Sequence, residues 1–194
     1  VMDITKVNSD SDKLNLVNCN IVSVLEEIVM STVLYASEKK RNIIFDTDSE
    51  EIILACDEDK IERIMLNLIS NAIKFSQLHT DIEIKIKRNV DLNRVYISVK
   101  NYGSNIEFKD REKIFERFYR VDNSLNRKNE GCGIGLFLCR KFIEMHGGEI
   151  FLDNIDNGTQ FSFYLPINIT SEKIYNPLIQ KDSLIEKCNI EFSD

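Results

Sequence analysis

The feature that most constrains this chain is a glycine-rich run that leads directly into a helical pattern. Glycine occupies three alternate positions, Gly131, Gly133 and Gly135, and the apolar helical spacing that follows ends at Gly147-Gly148. Glycine permits backbone conformations that other residues avoid, and the free amide groups of a helix start attract phosphate. The run therefore predicts a cradle for a polyphosphate, although a flexible loop before a tightly packed helix start would give the same pattern.

Composition narrows the class of protein. A chain of 194 residues fits one domain with appendages, and its net charge of -7 argues against nucleic acid as a partner, because a phosphate backbone is bound by clustered Lys and Arg. No window approaches the roughly 20 apolar residues that span a bilayer, and no signal peptide is visible, so we expect a soluble, cytoplasmic fragment.

The five cysteines include no Cys-x-x-Cys pair, which indicates reduced thiols. Cys132, beside the predicted helix start, is either a reactive thiol or a small residue that fills a narrow slot.

Periodicity predicts the secondary structure. Helical spacing covers 21 to about 40, about 58 to 75 and the segment after the glycine run, with a short helix near 110–118. Alternation predicts strands at 14–20, 42–46, 51–56, 82–87, 95–99, 149–152 and 159–165. We expect hairpins to join 42–46 with 51–56 and 149–152 with 159–165. One domain would span residues 12–167, with 1–11 and 168–194 outside it.

A narrow polar stripe runs along the second long helix. Asn67, Asn71 and Lys74 follow at i, i+4 and i+7, within an arc of about 60°. Asparagine is a mediocre helix former, so a face selected only for solvent exposure would favour Glu, Lys, Gln or Arg. Amide oxygens suit Mg²⁺, and a lysine suits phosphate. From the helix alone, a solvent face and a magnesium and phosphate site are both open interpretations.

Two further segments carry candidate residues. Asn101, Tyr102 and Gly103 follow a predicted strand, which by itself is an ordinary turn. Arg120 and Lys128 flank the glycine run and are candidate phosphate partners.

Taken in order, these motifs closely resemble the catalytic ATP-binding domain of bacterial sensor histidine kinases, in the superfamily of gyrase, Hsp90 and MutL ATPases. They are Asn-Leu-x-x-Asn-Ala-x-Lys-Phe-Ser at 67–76, Asn-x-Gly-x-x-Ile at 101–106, Ile-Phe-x-x-Phe-Tyr-Arg at 114–120, Gly-x-Gly-Ile-Gly-Leu at 131–136 and His-Gly-Gly at 146–148. The resemblance covers about 18–166. It implies an α+β fold, a two-layer α/β sandwich of the Bergerat type, whose mixed and mostly antiparallel sheet is covered on one face by three helices. Residues 1–11 would end a preceding dimerisation helix.

The resemblance also implies roles for particular residues. Asn71 would coordinate Mg²⁺ with help from Asn67. The catalytic residues would be Asn67, Lys74 and Arg120. Residues around 121–130 would form a lid over the nucleotide. The nucleotide-binding residues implied are Asn67, Asn71, Lys74, Phe75, Asn101, Gly103, Ile106, Tyr119, Arg120, Lys128, Gly131, Cys132, Gly133, Ile134, Gly135, Leu136 and Thr159.

Two departures from the family pattern concern the base. Asn101 stands where the family usually has Asp, whose carboxylate accepts the adenine amino group, and Asn105 replaces a glycine. Exchanging a charged for a neutral acceptor is expected to weaken binding by about 1 kcal/mol. Because an amide can also donate, we expect relaxed discrimination between adenine and guanine.

The reaction type follows from one position. ATPase branches of the superfamily carry a Glu one helical turn before the metal-binding Asn, and Asn67 holds that position here. The resemblance therefore implies a protein-histidine kinase that uses ATP and Mg²⁺, rather than a water-using ATPase. Neither His79 nor His146 suits the acceptor, so we expect it on a separate helical domain. A response regulator and a membrane-bound homodimeric parent are the implied partners. Two alternative functions stay open: a degenerate nucleotide-binding scaffold with weakened ATP affinity, and a water-using ATPase of the same superfamily.

Overall fold

The computed structural model describes residues 13–121 and 132–171, which form seven strands and three α-helices. The strands are β1 (Val17–Asn20), β2 (Asn42–Thr47), β3 (Ile53–Cys56), β4 (Asp81–Asn89), β5 (Arg94–Tyr102), β6 (Glu149–Ile155) and β7 (Gly158–Pro166). The helices are α1 (Ile21–Glu38), α2 (Glu58–Phe75) and α3 (Gly135–Met145). The predicted bounds of α2 are confirmed, because Asp57 caps its start and a run of apolar residues continues to Phe75.

The main sheet has five strands in the order β2-β4-β5-β7-β6. Strands β2 and β4 run parallel, and the other three neighbouring pairs are antiparallel. All three helices pack on one face, so the predicted two-layer α+β architecture is confirmed. Strands β1 and β3 form a separate two-stranded antiparallel sheet.

The predicted hairpin between 42–46 and 51–56 is wrong. The chain leaves β2 at Thr47, and β3 pairs with β1 instead, while β2 pairs in parallel with β4. Asp48 helps to fix this arrangement, since both of its carboxylate oxygens accept from the Arg88 backbone amide at 3.1 Å. Alternation identifies a strand but does not identify its neighbour.

The short helix predicted near 110–118 is also corrected. Two 3₁₀ turns, Phe108–Asp110 and Lys113–Phe115, occupy this segment. Phe118 then adopts a φ of 66°, a conformation that no helix continues through.

The core lies between the sheet and the helices. Alternate residues of β4 and β5 point into it, and Phe163 of β7 is fully buried at its centre. Helix α2 contributes the largest helical share, with Ile61, Ile64, Met65, Leu66, Leu68, Ile69, Ala72 and Ile73 buried. Each large apolar side chain in such a position contributes about 1.5 to 3 kcal/mol. The part of α2 that these residues leave uncovered is the polar stripe.

Both ends of α2 are held by side chains. At the start, the Asp57 carboxylate accepts from the Asn15 amide at 2.9 Å and the Lys60 amide at 3.2 Å. Burial opposes ionisation of Asp57, but these hydrogen bonds and the Lys60 ammonium group lower its pKa overall. At the end, Arg41 donates to the Ser76 carbonyl oxygen at 2.6 Å and to the Ser76 hydroxyl at 3.1 Å.

The described chain remains attached to the domain beyond β7. The Ala55 amide donates to the Asn168 carbonyl oxygen at 2.6 Å, and Asn18 exchanges hydrogen bonds with Thr170 at 2.8 and 2.9 Å. Residues 168–170 therefore pack beside the two-stranded sheet. No helix among the described residues is both long enough and apolar enough to cross a membrane.

The described cysteines are all free thiols. Cys19 and Cys56 lie 2.6 Å apart between β1 and β3 and are buried, as is Cys139, whereas Cys132 is exposed. The hydrogen bond to Cys19, together with burial, raises the pKa of the Cys56 thiol. Cys188 lies outside the described residues.

His146 joins the end of α3 to the start of α2. Its Nε2 atom accepts from the Asp57 amide at 3.0 Å, so Nδ1 carries the proton and donates to the Phe142 carbonyl oxygen at 2.6 Å. Burial lowers the pKa of His146 below its usual 6.5. These contacts give His146 a structural role at the junction of α2 and α3.

Acidification is expected to weaken this junction. Because the folded-state pKa lies below the unfolded value of about 6.5, the unfolded chain binds the proton more readily, and stability is lost as pH falls below that value. The free energy of unfolding, measured in urea, should fall between pH 7.5 and 5.5 by about 1 kcal/mol more in the wild type than in His146→Gln. The glutamine amide oxygen still accepts the hydrogen bond but does not titrate.

The wild type must be compared with His146→Gln because protonation of Glu58 changes the folding stability in the opposite direction. Burial, followed by repulsion from Asp59, Glu27 and Asp57, raises the pKa of Glu58 to about 6, so acidification favours the folded state at that residue. Both proteins share this contribution. Equal losses in the wild type and His146→Gln would contradict the assignment to His146.

Candidate nucleotide site

The polar stripe of α2 meets the start of α3. A Cβ atom built on Gly135 would lie 1.9 Å from Asn67 Oδ1 and 2.8 Å from its Cγ, so the Asn67 carboxamide lies directly against the Gly135 backbone. Only glycine leaves room for this contact. Asn71 and Lys74 lie on the same side of α2 and are half-buried. The stripe of α2 therefore touches the start of α3 at this point, and their service as one binding site stays a prediction.

The start of α3 presents backbone groups rather than a side-chain cap. Its first flanking residue is Ile134, and among the described residues no side chain caps this end. Gly133 has a φ of 66°, and its carbonyl oxygen accepts from the Phe118 amide at 2.8 Å. The segment before α3 is thereby fixed against Phe118, with the first amides of the helix available to an anion.

A second group of predicted residues gathers at one end of β5 and β7. Asn101 and Thr159 are direct partners across these strands and are 4% and 6% exposed. The Thr159 hydroxyl donates to the Ser104 carbonyl oxygen at 3.3 Å. The Asn101 Nδ2 atom is buried and has no hydrogen-bond partner among the described residues. It is one of four buried side-chain atoms without a partner among the described residues, and as an unpaired donor beside Thr159 it is a candidate ligand contact.

The end of α2 is fixed to this region through Gly103. Ser76 and Gly103 form an isolated antiparallel bridge, and the Gln77 amide donates to the Tyr102 carbonyl oxygen at 2.8 Å. A Cβ atom on Gly103 would lie 2.2 Å from the Phe75 carbonyl oxygen. Gly103 therefore permits the close approach that places the stripe of α2 beside the ends of β5 and β7.

Ile106 and Thr159 line a depression of about 10 Å³ at the rim of this region. That volume holds about one water molecule, so a purine would have to widen it. Arg111 also lines the depression and donates from Nε to the Ile106 carbonyl oxygen at 3.3 Å. The sequence interpretation missed Arg111, because nothing in its spacing separates it from the other charged residues of the segment.

The other predicted residues lie on both sides of the glycine run. The Tyr119 hydroxyl donates to the buried carboxylate of Asp110 at 2.7 Å, and Arg120 is exposed. Phe75 is half-exposed at the end of α2, Leu136 packs against the core, and Cys132 faces solvent. Lys128, Gly131 and the predicted lid from residue 122 to 130 lie outside the described residues. Within the described ranges, no group of three His, Cys, Asp or Glu side chains is placed to hold a metal.

Comparison with known proteins agrees with this geometry. Residues 56–169, more than half of the chain, match the family of histidine kinase-, DNA gyrase B- and HSP90-like ATPases. The chain is 33% identical to the sensor histidine kinase WalK of Bacillus subtilis over 167 residues, which cover 86% of this chain and 27% of WalK. It thus spans about a quarter of that relative.

Solved structures place the likeness in the catalytic domain of such kinases. The nucleotide-free catalytic domain of histidine kinase ThkA superposes with a TM-score of 0.71 at 28% identity, covering 80% of this chain and 97% of that domain. ThkA has also been solved in complex with response regulator protein TrrA, with a TM-score of 0.67 at 27% identity over 79% of this chain and 42% of that one.

Full-length ShkA in complex with AMPPNP matches with a TM-score of 0.70 at 25% identity, covering 82% of this chain and 33% of ShkA. The fold, the α2 stripe that meets the α3 start and the family match lead to one conclusion: this chain belongs to the histidine kinase-, DNA gyrase B- and HSP90-like ATPase family.

Proposed function

We propose that this chain binds ATP with Mg²⁺ and serves as the catalytic domain of a sensor histidine kinase, passing the γ-phosphoryl group to a histidine on a separate helical domain. The observation that carries the proposal is the contact between the Asn67 carboxamide and Gly135. It brings neutral oxygen ligands and the amides of a helix start to one place, as a magnesium triphosphate requires.

The residues present fit such a ligand. Asn71 and Asn67 would hold the metal through their amide oxygens, and Lys74 would contact a phosphate oxygen. When bound, Mg²⁺ offsets the negative charge of the phosphate groups. The stripe is half-buried and therefore partly shielded from water, and this shielding strengthens each of these charge interactions. The contribution of the protein is thus positioning and charge neutralisation.

Transfer to a histidine is favoured over hydrolysis by the chemistry of Asn67. A carboxamide cannot accept a proton from an attacking water near neutral pH, whereas the Glu that the related water-using ATPases carry there can. Asn67 also packs against Gly135, so its position is set by the helix start rather than by a water-activating role. An acceptor that is itself a good nucleophile, such as imidazole, does not need that base.

The partners form part of the same proposal. A response regulator is the expected recipient of the phosphoryl group, which is supported by the solved complex of ThkA with TrrA. The membrane-bound, homodimeric parent with its catalytic domain at the inner face of the membrane is proposed on the likeness to sensor kinases such as WalK.

Calorimetric titration of the 194-residue chain with Mg²⁺ and a non-hydrolysable ATP analogue tests the proposal. We expect saturable binding that weakens more than tenfold in Asn71→Ala, because a contact to a charged ligand is worth about 1.5 to 3 kcal/mol. Asn42→Ala is the matched control, since Asn42 is exposed on the edge strand β2 and bonds to Asp81.

Binding that is absent in the wild type would identify a scaffold without nucleotide and refute the proposal. Steady phosphate release by the chain alone, lost in Asn71→Ala, would instead identify a water-using ATPase.

A further inference from the structure

We propose that Asn101 makes the base site accept purines with either an amino or an oxo group at position 6, so that inosine and guanosine triphosphates bind comparably to ATP. This inference rests on the proposed function, since it concerns the base end of the same nucleotide site. It starts from one side chain of β5 whose hydrogen bonding the protein leaves incomplete.

The Asn101 amide is enclosed but not satisfied. The residue is 4% exposed, and its Nδ2 atom has no partner among the described residues. Its partner across the sheet, Thr159, has its hydroxyl proton committed to the Ser104 carbonyl oxygen. A buried amide donor left without a partner is unfavourable, so a ligand that supplies an acceptor at this point is favoured.

An amide has a donor and an acceptor side by side, and this pair can match either purine. With adenine, Oδ1 accepts from the 6-amino group while Nδ2 donates to N1. With guanine or hypoxanthine, the amide turned by 180° donates from Nδ2 to O6 and accepts at Oδ1 from the N1 proton. Because no described group holds Nδ2 in place, turning the amide breaks no hydrogen bond of that atom.

A carboxylate at the same position would discriminate strongly. It offers only acceptors, so it can pair with the adenine amino group but faces the O6 lone pairs of a 6-oxo purine with like charge. A site built around one hydrogen-bonding pattern rejects an analogue with the opposite pattern. Asn101→Asp is therefore the matched variant, similar in shape and different in the one property at issue.

The groups around Asn101 do not discriminate between a 6-amino and a 6-oxo purine. Ile106 contributes an apolar surface, and a Cβ atom built on Gly158 would lie 2.2 Å from the Asn101 backbone carbonyl oxygen, so only glycine fits there. The nearest strand partner, Thr159, keeps a hydroxyl oxygen that can accept but has no second proton to give. In the described part of the site, the Asn101 amide is thus the group whose donor and acceptor can exchange places.

The experiment is competition binding of ATP, inosine triphosphate and purine riboside triphosphate, with Mg²⁺, to the 194-residue wild type and Asn101→Asp. Inosine differs from adenosine at position 6 and N1 and lacks the guanine 2-amino group, so it isolates the proposed contact. For the wild type we expect affinities for ATP and inosine triphosphate within about threefold, both above that of the purine analogue without a 6-substituent. For Asn101→Asp we expect a preference for ATP of about tenfold or more.

The outcomes separate this inference from the proposed function. If ATP binds but exceeds inosine triphosphate by tenfold in the wild type, the inference is overturned and nucleotide binding stands. If no triphosphate binds, the proposed function is refuted and the inference with it. Loss of both ATP and inosine triphosphate in Asn71→Ala confirms that they share one site. Should Asn101→Asp not fold, the three wild-type affinities decide the matter alone.

Discussion

Replacing Gly103 by alanine is expected to destabilise the domain by about 3 kcal/mol, at the upper end of the range for forcing atoms into a packed region. The added Cβ would lie 2.2 Å from the Phe75 carbonyl oxygen and 3.2 Å from its carbon, both backbone atoms at the end of α2. A flexible side chain could turn away, whereas a backbone carbonyl cannot move without its helix.

Both sides of Gly103 resist such a movement. Its amide donates to the Asn157 carbonyl oxygen at 3.1 Å, and it bridges Ser76 on the other side. Urea unfolding measures the loss, and a fall in Tm of about 10 °C should accompany it. Ser104→Ala is the control, because it changes the next residue, which is exposed. A loss below 1 kcal/mol in Gly103→Ala would show that α2 is not held to β5 as described.

Gly135→Ala is expected to weaken binding of a Mg²⁺-ATP analogue by about 100-fold, equivalent to about 2.7 kcal/mol. The new Cβ would fall 1.9 Å from Asn67 Oδ1, so the carboxamide must leave the helix start or α3 must shift. Either movement removes a proposed metal ligand and displaces the backbone amides at the same time. Two contacts are lost, which is why this effect exceeds that of Asn71→Ala.

A double-mutant cycle separates the clash from the lost ligand. Asn67→Ala removes the atoms that the new Cβ would meet, so adding it to Gly135→Ala should restore most of the lost folding stability. Nucleotide binding should stay weak in the double variant, because Asn67 is absent. Calorimetry and urea unfolding on the four proteins give both quantities. Unchanged binding in Gly135→Ala would show that the α2 and α3 contact is only structural.

Part of this architecture could be predicted from the sequence because the signals were local. Helix α2 has a cap at Asp57, a buried apolar run and a stop at Phe75, and its bounds were predicted correctly. The antiparallel pairing of β6 with β7 was also predicted, since the chain turns tightly at residues 156–158. The proximity of Asn67 to Gly135 came from the order of motifs, and the structure adds the contact itself.

Other features depend on distant parts of the chain. Strands β2 and β4 pair in parallel because β3 and α2 separate them in the sequence and allow the chain to cross back. Alternation within β2 does not reveal this connection. The burial of Asn101 depends on Thr159 and the end of α2, so its polar character alone suggested a simple turn. Arg111 reaches the depression beside Ile106 and Thr159 because a 3₁₀ turn precedes it, in a segment where the sequence predicted a short helix.

Helix α3 touches α2 at three levels along its length. Gly135 contacts Asn67 at one end, the Cys139 thiol donates to the Ile64 carbonyl oxygen at 3.7 Å in the middle, and His146 accepts from the Asp57 amide at the other end. With contacts at both ends and in the middle, α3 cannot pivot independently of α2. Any displacement that a bound phosphate imposes on α3 must therefore move α2 as well, so the two helices would shift together as one rigid body.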